Sequence, residues 1–180
     1  MLKTIMALGL LILAVSGCVN RDEIYANPPA ELVTYVDQIM PAATAFVTEN
    51  EQVALQKGSP LTAAQLVIAD KIGLQDAEKV RVYYVDTLPF PQDPELAALA
   101  KKYGYSSPMM AAYTYGYGIW IKHSEKQNTE LLAHELIHVR QAEQLGLNEQ
   151  TKQYLMQLFI YGYSKAPMEL EAYREAPKYK

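Results

Sequence analysis

Residues 131–139 read Leu-Leu-Ala-His-Glu-Leu-Ile-His-Val, and the rest of the chain is organised around them. Taken as a helix, this stretch sets Leu132, Leu136 and Val139 on one side at the spacing of a buried stripe. His134 and His138 stand one turn apart and project from a common face. Two imidazoles so placed can hold one zinc ion, and Glu135, roughly 100° round the helix, reaches a water on that ion. Zinc brings the pKa of such a water to about 7, and a neighbouring carboxylate takes its proton as the water attacks a carbonyl. Of the three histidines in the chain, two lie in this stretch, so the pair is not drawn from a histidine-rich background.

Working outward, Tyr113–Lys122 alternates as a single strand. Tyr115, Tyr117, Ile119 and Ile121 fall on one face, and Gly116, Gly118, Trp120 and Lys122 on the other. Two glycines on one face leave room for a ligand or another backbone. Along Gly118-Ile119-Trp120 an extended substrate is expected to pair with the strand edge. His123–Gln127 is a polar turn, Asn128 or Thr129 caps the central helix, and Gly146 stops it. Asn148 is expected to cap a further helix to about Tyr161, with Leu155, Leu158 and Phe159 inward. Pro167 opens a last short helix.

Upstream, Glu31–Met40 has helical spacing, and Pro41 either kinks that helix or starts the next, which runs towards Gln56. Ser59-Pro60 reads as an N-cap and first helical residue of a helix to Ile72. Val80–Val85 is β-branched and aromatic, a strand. Asp93-Pro94-Glu95 starts a helix that ends near Tyr103-Gly104. Asn20–Ala30 shows no period and reads as part of a tether. The order of helices, strand, helix, strand, helices predicts an α+β fold, mainly helical, with a short sheet beside the central helix. A single domain is expected over 31–180, with a helical part at 31–75 and a metal-binding part at 79–180.

The chain has 180 residues, half of them apolar and 20% charged, which is a globular composition. A net charge of −4 argues against a nucleic-acid partner, since phosphate binding needs a basic surface. The single cysteine, Cys18, allows no intrachain disulfide and no cysteine-based zinc site. Residues 1–17 have a short basic start, an apolar run from Ile5 to Val15, and small residues before a cut, the pattern of a signal peptide. Val15-Ser16-Gly17-Cys18 resembles a bacterial lipobox. That resemblance implies cleavage before Cys18, lipid on its sulfur, a tether over 18–30, and a place in the bacterial cell envelope. Val19 follows the cysteine, where an Asp would suggest retention at the inner membrane, so the periplasmic face of the outer membrane is expected.

A catalytic zinc takes three protein ligands and keeps one position for water. The metzincin extension would need Gly at 141 and His at 144, and both are Gln. His123, in the turn before the helix, is awkwardly placed. A carboxylate from Pro167–Glu175 remains. On a helix Glu169 and Glu171 point about 200° apart, so one can face the metal while the other faces solvent, and spacing does not choose between them.

The stretch from Tyr115 to Glu175 resembles gluzincin-type zinc metallopeptidases, in which a strand passes the active-site helix and a later helix brings a ligating Glu. Gly118-Ile-Trp-Ile, Leu131–Val139, Gln141, Leu145-Gly146 and Gly162-Tyr163-Ser-Lys-Ala-Pro-Met-Glu169-Leu-Glu171-Ala172 are similar to a branch of small bacterial zincin-like lipoproteins. Membrane gluzincins that process prenylated proteins carry E-x-x-A-D, whose first Glu is a ligand. The match implies that role for Glu169. Tyr173 stands where those enzymes have Asp, so the usual carboxylate behind a zinc histidine is missing or comes from elsewhere. The resemblance implies a lipid-anchored, Zn²⁺-dependent peptidase acting on a peptide or protein of the envelope, with metal ligands His134, His138 and Glu169 and with Glu135 as general base. For the oxyanion partner, Tyr161, Tyr163 and His123 are candidates. The alternatives are a zincin-fold lipoprotein that acts as a scaffold without useful turnover, and a zinc ion that only braces the domain.

Overall fold

A computed structural model of the chain describes residues 20–105 and 110–179. The signal peptide and Cys18 readings lie outside the described residues. Among the described residues, the fold is a mainly helical α+β arrangement of seven helices and a four-stranded mixed sheet. In chain order the elements are α1 (Arg21–Ala26), α2 (Ala30–Lys57), β1 (Ser59–Pro60), α3 (Ala63–Ile72), β2 (Arg81–Val85), α4 (Pro94–Lys102), β3 (Ala112–Tyr115), β4 (Gly118–Lys122), α5 (Thr129–Leu145), α6 (Leu147–Tyr161) and α7 (Pro167–Glu175). The strand order is β1-β2-β4-β3, with β2 and β4 parallel and the other pairs antiparallel.

The sheet separates two cores. On one face Val82, Ala112, Ile119 and Ile121 pack against Leu132, Leu136 and Ile137 of α5, with α3 and α7 closing the sides. On the other face Tyr113, Tyr115 and Trp120 meet α2 through Ala54, with Phe46 and Val53 alongside. The helix bearing the His-Glu-x-x-His stretch is thus held against the sheet by the apolar stripe read from its sequence.

Several local expectations are corrected. Tyr113–Lys122 is a hairpin and not one strand. Gly116 turns the chain at φ 55°, and Glu51 Oε1 of α2 accepts from the Tyr117 backbone N–H at 2.9 Å to hold the turn. The reversal places Tyr115 with Trp120, on the face opposite Ile119 and Ile121. The space left by Gly118 is filled by α2: a Cβ there would lie 2.8 Å from Ala54 Cβ and 3.1 Å from the Glu51 backbone. Because β4 lies between β2 and β3, it has no free edge for a substrate, and that edge belongs to β3.

Pro41 does not start a new helix, and α2 runs through it as one element. Pro41 and Asp37, whose carbonyl loses its helical donor, both face solvent, so water can serve the freed oxygen. α3 is capped not by Ser59 but by Thr62, in a reciprocal capping box with Gln65. This leaves Ser59–Pro60 to pair with β2. α6 begins at Leu147, and Asn148 lies inside its first turn, accepting from Thr44 Oγ1 at 2.7 Å. Part of the expected tether is α1, seated on the end of α6. Arg21 donates to the Tyr161 carbonyl at 2.8 Å, and the Tyr161 hydroxyl donates to Asp22 at 2.7 Å.

Candidate metal centre

Asn128 caps α5 by accepting from the Leu131 N–H at 2.9 Å, and every residue from Leu132 to Val139 is buried. A helix that buries two histidines and a glutamate must give them partners. α7 supplies one. Pro167 starts it, and its first turn carries Glu169 into the protein, only 3% exposed. His134 Nε2 lies 3.1 Å from His138 Nε2 and 3.4 Å from Glu169 Oε2, while Glu169 Oε1 lies 3.5 Å from His138 Nε2. Ligands at about 2.0–2.1 Å from a tetrahedral zinc stand about 3.3–3.4 Å apart. The three side chains form a buried group that could hold a metal ion.

Two further observations fit a cation here. Glu169 Oε2 is buried and has no hydrogen-bond partner, whereas Oε1 accepts from the Tyr154 hydroxyl at 2.8 Å. The protonation pattern agrees. Burial acts to raise the Glu169 carboxyl, but the His134 and His138 rings beside it outweigh burial and hold the group well below the usual carboxylate range. For His138, burial acts to lower the pKa, and Glu169, Glu135 and Gln141 more than offset it, pushing it up to about 9. The pocket is built to stabilise positive charge.

The partner behind His138 is Gln141. Its Oε1 lies 2.8 Å from His138 Nδ1, and its Nε2 donates to Glu171 Oε2 at 2.7 Å and to the Met168 carbonyl at 3.1 Å. Two acceptors fix which end of the amide is nitrogen, so Oε1 must face the ring. His138 therefore carries a proton on Nδ1, and Nε2 is the nitrogen that a cation in the metal position would meet. Glu171, expected to face solvent if Glu169 faced the metal, instead joins this support and is braced by Arg140 at 2.6 Å. The position at which Gln excludes the metzincin extension thus carries the second support for a ligand.

Glu135 is 5% exposed and stands beside β3, where the Thr114 hydroxyl donates to its Oε2 at 2.6 Å. The structure brings together His134, Glu135, His138 and Glu169. Of the oxyanion candidates, Tyr163 lines the same cavity. Tyr161 is occupied with α1, and His123 stacks on Tyr84 with ring centres 6.3 Å apart. Tyr173, which stands in place of an Asp, sets its ring 4.6 Å from that of His134. Thr114, Tyr154 and Gln141 went unassigned in the sequence. Only Gln141 left a signal, three residues after His138 on the same helix.

A cavity of about 170 Å³ opens from the four site residues. Its walls include Phe46 and Val47 of α2, Leu96 and Leu99 of α4, and Leu158 and Phe159 of α6. Among the described residues, its charged or titratable-nitrogen side chains are those of the site itself, and no Lys, Arg or Asp lines it.

Residues 93–146 match the family model of the eCIS core domain. The matched stretch runs from the cap of α4 through the hairpin to the end of α5, so it includes Thr114, His134, Glu135 and His138, while Glu169 lies beyond it. No curated protein and no solved structure matches the chain.

Proposed function

We propose that the chain is a zinc metallopeptidase of the bacterial cell envelope, anchored through lipid on Cys18. The observation that carries the reading is the placement of a buried carboxylate, Glu135, held by Thr114 beside two Nε2 atoms and an unpaired carboxylate oxygen at tetrahedral spacing. The matched eCIS core domain, a predicted small zincin-like metalloprotease domain of extracellular contractile injection systems, supports the same chemistry. His134, His138 and Glu169 would hold the zinc. When bound, zinc supplies the Lewis acidity that makes water nucleophilic near neutral pH and polarises a carbonyl.

Glu135 takes a proton from the attacking water and returns it to the leaving amine. Thr114 keeps that carboxylate on the β3 side of α5, and β3 is the edge strand along which an extended chain would pair. The cavity favours a substrate with a large uncharged side chain next to the scissile bond. A cavity of about 150 Å³ lined by Leu, Ile and Phe holds a benzene ring, so the space here suits one apolar side chain. Peptides of exported proteins with such residues are the expected substrates. Glu135→Gln should abolish cleavage of a fluorogenic peptide library while zinc remains bound at one equivalent. Turnover by that variant at the wild-type rate would refute the mechanism. A protein that holds zinc but cleaves nothing would favour the scaffold alternative.

A further inference from the structure

Glu169 has two oxygens, and the fold treats them differently. Oε1 accepts from the Tyr154 hydroxyl and lies 3.5 Å from His138 Nε2, whereas Oε2 is buried with no hydrogen-bond partner and lies 3.4 Å from His134 Nε2. A carboxylate can meet a metal through one oxygen or through both, and the choice sets how many positions remain for water and substrate. We infer that Tyr154 is a positioning residue that makes Glu169 a one-oxygen ligand, by holding Oε1 in a hydrogen bond and leaving Oε2 for the metal. The inference rests on the metal reading above.

The hydroxyl is the donor in this bond, because a metal-binding carboxylate is ionised and can only accept. A bond to an ionised acceptor is stronger than a neutral one and is stronger still out of water. Taking up a second metal contact through Oε1 would weaken this bond or break it. Tyr154 is also well fixed. It lies in the middle of α6, whose start is tied to α2 by Thr44 and Asn148 and whose end is tied to α1 by Tyr161. A phenol on a rigid helix can hold a carboxylate in one rotamer, where a flexible side chain would follow it. A zinc ion held by His134, His138 and this single oxygen would keep a fourth position for water, the arrangement that catalysis by water requires.

The test uses cobalt(II) as a coloured substitute for zinc in the full chain after signal removal. Four-coordinate cobalt lacks a centre of inversion and absorbs strongly in the visible, and a fifth ligand weakens the band. The wild-type protein should give the strong band. Tyr154→Phe, which removes only the hydroxyl, should give a weaker band and a dissociation constant for cobalt raised by roughly tenfold or more. A variant with the wild-type spectrum and affinity would overturn the inference even if it lost thermal stability. X-ray absorption on the zinc-loaded wild type gives a reading that needs no variant. One carboxylate oxygen at bonding distance supports the inference, and two at comparable distance overturn it. Failure of the wild type to bind cobalt or zinc would instead remove the metal reading itself.

Discussion

Gln141→Leu tests whether the support behind His138 matters. Leucine has a similar volume and fits a helix, so the change removes polar contacts with little change in shape. Three hydrogen bonds are lost, at 2.8 Å to His138, 2.7 Å to Glu171 and 3.1 Å to the Met168 carbonyl. Glu171 keeps Arg140. The His138 Nδ1–H is left buried and unpaired, at about 1–3 kcal/mol, while the Met168 carbonyl stays within the helical ladder of α7. The methyl groups of a buried leucine offset part of this, leaving a net loss of about 1–2 kcal/mol. At roughly 2–4 °C per kcal/mol for a chain of this size, the midpoint of thermal unfolding should fall by several degrees. Metal affinity should fall with it, by about 10–100-fold, because nothing then fixes the tautomer or angle of His138. Competition for zinc against a coloured chelator measures the affinity, and calorimetry of the metal-free and zinc-loaded protein measures the stability. Wild-type zinc affinity together with an unchanged midpoint would refute the argument that the amide orients the ring.

Three other outcomes are expected. Since the folded pKa of His138 is raised from 6.5 to about 9, its stabilisation of the metal-free protein should be complete below pH 6.5 and lost as pH rises towards 9. Urea unfolding across that range should show the loss, and saturating zinc should abolish this His138 contribution to the pH dependence, because the metal replaces the proton on Nε2. Gly118→Ala should destabilise by about 1–3 kcal/mol through its contact with Ala54 Cβ at 2.8 Å. The same change beside Ala54→Gly should cost measurably less than the sum of the two single changes. Thr114→Val should leave zinc affinity unchanged and lower kcat, since it frees Glu135 and touches no ligand. A tenfold rise in KM at constant kcat would contradict that role.

The sequence made the central helix and three of its residues legible because their geometry is local. His134, Glu135 and His138 share one helical turn, and Asn128 and Gly146 bound the element with ordinary capping chemistry. The choice between Glu169 and Glu171 depended on how α7 lies against α5, which no spacing within α7 reveals. Thr114 was invisible for a different reason. Its side chain reaches Glu135 only because the chain reverses at Gly116, and the alternation of Tyr113–Lys122 is unbroken through that point. α1 was missed because polar anchors at Arg21 and Asp22, together with one aromatic contact, hold it in place of an apolar stripe. Ser59-Pro60 misled because Thr62 and Gln65 a few residues on formed a complete capping box of their own.

The contacts of α2 bear on where this protein can be cut. Glu51 secures the hairpin turn, the Asn50 carbonyl accepts from the Trp120 indole at 3.0 Å, and Ala54 seals the back of β4. The family match begins at residue 93, well after α2 has ended. A fragment trimmed to the matched boundaries would keep both histidines and the base, yet it would lose this rib and β2, the strand that flanks β4. Trp120, Tyr113 and Tyr115 would stand bare. The boundaries of the match are therefore not folding boundaries, and expression of 93–146 alone would yield an aggregating peptide and not a smaller folded domain.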